Sequence, residues 1–72
     1  MCVVEKFLEA SSEQLAEVNV HKLTPADRSV VQGVLAGVEE IDREDLPPVT
    51  RRLLHGQRLL CQALLAVDDE RR

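Results

Sequence analysis

The sequence predicts an all-α fold, either a small antiparallel helical hairpin or a three-helix bundle. Three observations predict it. The composition is that of helices: Leu, Val, Ala, Glu and Arg dominate, with 3 Gly, 3 Pro and a single aromatic residue, Phe7, in 72 residues. Apolar residues recur at steps of three and four in three stretches, which places them on one helix face each. Short polar or proline-bearing connections around 19–24 and 42–48 separate the stretches.

The first helix is expected from residue 2 to about 20. Val4, Leu8, Ser11, Leu15 and Val18 form a heptad-like stripe with a serine at its centre. Ser11 and Gln14 could instead form a capping box that starts a new helix. One continuous helix is favoured, because the stripe keeps phase across Ser11-Ser12 and neither Gly nor Pro interrupts it. Asn19 is a candidate left-handed terminator. His21 and Lys22 then sit near the negative end of the helix, where cations are favoured.

The second helix has the clearest start. Thr24 can accept a hydrogen bond from the first free amides, Pro25 suits the first helical position, and Asp27 stands three residues after the cap. Val31, Val34, Val38 and Ile41 share one face. Ala26, Gly33, Ala36 and Gly37, with Leu35, point roughly the other way, so this helix is expected in the middle, covered on both sides, and to end near Asp42. Gly33 and Gly37 form G-x-x-x-G spacing, which lets another backbone approach. The approach could be made by helix one or three of the same chain, or by a second molecule.

Leu46-Pro47-Pro48 cannot continue a helix, but it can begin one, with Asp45 or Leu46 as the cap and a proline first. The third helix is expected from about Pro48 to Val67. Val49, Leu53, Leu54, Leu60, Cys61, Ala63, Leu64, Leu65 and Val67 cover more than half of its circumference at about 100° per residue, wider than one neighbour can bury. Gly56 lies on that apolar side. Arg51, Arg52, His55, Arg58 and Gln62 form the polar wedge. The chain is expected to be one domain over 1–67, with a frayed charged tail at 68–72.

Several function classes are disfavoured by composition. A net charge of −4 and one aromatic residue leave neither an electrostatic footprint nor a stacking platform for nucleic acid. No apolar run approaches the ~20 residues of a membrane span. The acidic residues Glu5 and Glu9 inside the first apolar stretch are unlike a secretory signal, so a cytoplasmic location is expected. Cys2, His21, His55 and Cys61 supply zinc-ligand atom types, but no pair has C-x-x-C or H-x-x-x-H spacing, so no metal or other cofactor is expected, and packed free thiols fit better. No glycine-rich phosphate loop is present, and no cysteine is placed beside a histidine. The carboxylates lie on polar faces, where they are solvated rather than tuned, so no enzyme is expected.

The function expected is that of a small helical protein–protein interaction module, working as a homodimer or as a subunit or chaperone-like adaptor of a larger assembly. A single core of this size rarely supplies more than about 3–5 kcal/mol, which favours a partner. The contact residues expected are Gly33, Leu35, Gly37, Leu54, Leu59 and Leu65, with Leu35 and Leu59 the best candidates for exposure because they stand off their own helix's stripe. Glu5, Glu9, Glu13 and Glu17, four residues apart, make an acidic ridge. This ridge could be a plain solvated face, or could match Arg51, Arg52 and Arg58 and set register. The alternative function is a small helix-turn-helix DNA-binding regulator that reads with Arg51, Arg52, His55 and Arg58. The lack of Ser, Thr, Asn or Lys around those arginines weakens that reading.

Overall fold

The computed structural model describes residues 3–71, which form three helices: α1 (Val3–Ala16), α2 (Pro25–Ile41) and α3 (Pro48–Glu70). Cys2 and Arg72, and with them the expected thiol at position 2 and the end of the tail, lie outside the described residues. The bundle measures 39 × 19 × 16 Å, its long axis set by α3. The principal pairing is α2 against α3, and α1 lies more lightly across both.

α1 is continuous through Ser11-Ser12 but stops at Ala16, short of the expected residue 20. The reason is local. The amides of Glu17 and Val18 donate to the carbonyls of Gln14 and Leu15, three residues back, so the last turn tightens and unwinds. Asn19 then accepts from the His21 amide through its side chain at 3.0 Å. That local bond holds the turn without the left-handed backbone expected at Asn19, since no described non-glycine residue has positive φ. Val18 is still buried, so the turn delivers the last residue of the stripe to the core.

α2 starts as its sequence requires. Thr24 Oγ1 accepts from the Asp27 amide at 3.1 Å and the Thr24 amide donates to Asp27 Oδ2 at 3.2 Å, a complete capping box. Val31, Val34 and Val38 are buried and Ile41 is half-buried. The opposite side is more open than expected: Ala26, Gly33 and Ala36 are exposed. Leu35 is half-buried, and Gly37 is the closely covered glycine there. A Cβ on Gly37 would stand 2.6 Å from Phe7 Cε2, so that half of the glycine pair is used inside the chain, where α1 crosses α2.

α3 begins with Pro47 as cap and Pro48 in first position, one residue beyond Leu46 and two beyond Asp45, the expected caps, and without a side-chain cap bond. At its far end the expected frayed tail is helical to Glu70. Asp68 is buried and accepts from Arg28 Nη1 at 2.5 Å, while Arg28 Nη2 reaches Asp69 Oδ1 at 2.9 Å. The Arg71 guanidinium donates to the His21 carbonyl. A tail without apolar residues is thus tied to the start of α2 and to the α1–α2 loop by charge-assisted bonds, which the one-dimensional pattern does not record.

The core consists of Val4, Leu15, Val18, Leu23, Val31, Val34, Val38, Leu54 and Cys61, with Phe7, Leu8, Leu35, Leu64 and Leu65 packed partly buried against it. Ser11 is the polar exception. Its hydroxyl lies 2.8 Å from Gln57 Oε1 and 3.2 Å from the Leu8 carbonyl, and Gln57 Nε2 donates to Ser12 Oγ at 3.0 Å. The serine at the centre of the stripe is therefore satisfied, and it fixes the register of α1 on α3.

Candidate functional site

The residues expected to make contacts fall in three places. Leu54 is fully buried and serves this chain's own core rather than a surface. Leu35, expected to be exposed, is half-buried against the core, as is Leu65, and Gly37 lies under Phe7. Leu59 and Gly33 remain at the surface, and nothing lies within 4 Å of where a Cβ on Gly33 would stand.

The arginines and the acidic ridge do not meet within the chain. Arg51 Nε and Arg58 Nη1 approach the Asp42 carboxylate at 3.4 and 4.0 Å, across the α2–α3 elbow. Arg58 Nη2 also lies 2.7 Å from His55 Nδ1. Arg52 is exposed on the outer side of α3. Glu5, Glu9 and Glu13 are exposed along α1, and Glu17 falls in the loop beyond it. Among the described residues no ion pair joins the ridge to Arg51, Arg52 or Arg58.

A different set comes together on α3. Val49, Leu53, Gly56, Leu60, Ala63 and Val67 are all exposed, at successive steps of four, three, four, three and four residues. The four large members keep 67%, 54%, 46% and 42% of their surface in water. Steps averaging 3.6 residues match the period of the helix itself, so the seam runs straight along α3, and alternating steps of four and three suit a helical neighbour packed knobs-into-holes. The seam runs about 27 Å, eighteen residues at about 1.5 Å each. At its middle nothing stands within 4 Å of where a Cβ on Gly56 would be. The sequence holds this signal in full. It is masked by Leu54, Cys61, Leu64 and Leu65 on the same helix, which the linear pattern merges with the seam into one broad face.

The seam borders a groove between α1 and α3. One part is lined by Glu5, Leu8, Glu9, Ser12, Glu13 and Leu53, and the next by Ser12, Leu15, Ala16, Gln57 and Leu60. Leucines floor it, and Glu5, Glu9 and Glu13 form the α1 wall of its first part.

The titratable groups that stand out serve packing. The Cys61 thiol is buried and free, and burial pushes its pKa up, which keeps it protonated and unreactive. The Arg28 guanidinium is raised above its ordinary value, first by its hydrogen bond to Asp68 and then by Asp69, with desolvation opposing. Among the described residues no cluster of three or more His, Cys, Asp or Glu side chains could hold a metal ion, and no helix is long and apolar enough to cross a membrane. The chain matches no family model, no curated protein and no solved structure.

Proposed function

We propose that this protein is a helical protein–protein interaction module that works by having the outer face of α3 covered, as a homodimer or as a subunit of a larger assembly. The observation that carries this reading is the exposed Val49–Leu53–Gly56–Leu60–Ala63–Val67 seam. Six apolar or small residues in unbroken register over about five helical turns form a continuous apolar strip. Contiguous exposed apolar surface of that kind marks an interaction site, whereas scattered leucines do not.

The size of the molecule supports the same reading. A compact monomer of 8.1 kDa exposes about 4,500 Å², and this chain exposes 5102 Å². Its radius of gyration of 12.5 Å likewise exceeds the about 11 Å of a compact chain of this length.

The test is site-specific photo-crosslinking in cells, with benzoylphenylalanine at position 60 and, as control, at Gln62, on the far side of α3. A discrete adduct is expected from position 60, lost when Leu53→Asp is added, with none from position 62. The absence of an adduct at position 60, or equal labelling from both sites, overturns the reading.

A further inference from the structure

We propose that the groove between α1 and α3 seats a basic amphipathic helix of another protein, rather than a second copy of this chain. The inference rests on the reading of α3 as an interaction face and names what covers it. The floor dictates a helix. Leu53 and Leu60, exposed and one heptad apart on α3, are the row open to a third helix, and Leu8 and the edge of the core residue Leu15, one heptad apart on α1, line the floor beside them. Such a helix would present apolar residues at i, i+3 or i+4, and i+7, and the open space at Gly56 would receive one bulky side chain from it.

The wall dictates charge. Glu5, Glu9 and Glu13 line the groove at four-residue spacing. Like charges at that spacing destabilise an isolated helix. No ion pair among the described residues relieves these three. A row of Lys or Arg on the flank of the incoming helix would neutralise them, fix its register and speed its arrival. A second copy is poorly suited. The flank of its own seam carries Arg52, Leu59 and Ala66, one cation against three carboxylates, and the two chains bring −4 each.

The test uses the full chain and two synthetic amphipathic helical peptides of about 18 residues. Both carry leucines at heptad spacing; one has Lys along a flank, the other Glu at the same positions. Fluorescence anisotropy is expected to show saturable binding of the Lys peptide, at least about tenfold tighter than the Glu peptide and weakening as salt is raised. Glu9→Lys with Glu13→Lys should weaken it by at least about tenfold. The thermal melt should not fall, because both residues are exposed and the reversal puts opposite charges at positions 5 and 9. Leu60→Asp should abolish binding. Equal binding of the two peptides, or indifference to the charge reversal, overturns the inference. So does a homodimer in sedimentation equilibrium that Leu60→Asp dissociates, although the interaction reading then stands. A chain that binds neither peptide and gives no adduct at position 60 loses both.

Discussion

Gly37 and Gly33, four residues apart on one helix, have opposite surroundings. At Gly37 a new Cβ would stand 2.6 and 2.9 Å from the Phe7 ring, whereas at Gly33, as at Gly56, it would meet nothing within 4 Å. Replacing a helical glycine with alanine gains about 0.5–1 kcal/mol where there is room. Overpacking costs about 1–3 kcal/mol where there is not. Gly33→Ala and Gly56→Ala should therefore raise the urea midpoint, and Gly37→Ala should fall at least about 1 kcal/mol below either. A Gly37→Ala variant as stable as Gly33→Ala would show that Phe7 swings aside freely. Cys61 makes a pH prediction. Burial raises its pKa, so above the ordinary thiol range, about 8.5 to 9, the unfolded chain ionises while the folded chain stays neutral. The contribution is complete below that range and declines as the pH rises through it. The stability of the wild type should fall with pH from about 8.5 upward, and that part of the slope should vanish in Cys61→Ala.

At the scale of the element, each helix is started or held by a different device. α2 is self-starting, because Thr24, Pro25 and Asp27 close its capping box from neighbouring residues. α1 has its register set from outside, by the bond between Ser11 and Gln57. α3 ends where it does because Arg28 on α2 holds Asp68 and Asp69. Charge-assisted bonds of this kind persist only while both partners are ionised. Asp68→Asn should therefore lower the melting temperature and raise amide exchange in residues 66–70, with exchange in α2 from Val31 to Val38 little changed. Equal exchange in wild type and variant would mean that the last turn of α3 holds without Arg28.

For the molecule as a whole, the division of α3 into an inner and an outer side decides what the chain can do. Leu53 and Leu54 are adjacent, yet one is 54% exposed and the other fully buried. Leu54→Ala should cost about 2–5 kcal/mol, and a domain that rarely stores more than about 3–5 kcal/mol should then be largely unfolded. Leu53→Ala should change stability by no more than about 0.5 kcal/mol, as surface substitutions usually do. Circular-dichroism melts of the two variants check this directly. Equal destabilisation would place Leu53 in the core and remove it from the exposed strip.

Much of this architecture is legible residue by residue in the linear chain. Thr24-Pro25-x-Asp27 determines where α2 begins, Pro47-Pro48 determines where α3 can begin, and Val31, Val34 and Val38 determine which face is buried. These are local properties: caps act within one turn, proline removes a particular amide, and periodicity orients side chains about a single axis. The excess of apolar surface on α3 is equally legible, since its apolar residues span more than half the circumference. What the tertiary structure alone decided is how that surface is divided. α1 and α2 cover Leu54 and Cys61 and leave Leu53 and Leu60 in water, Phe7 occupies the space beside Gly37, and Arg28 reaches forty residues along the chain to make helix of an acidic tail. Each of these depends on which residues distant in sequence become neighbours in space, and neither a helical period nor a cap specifies that.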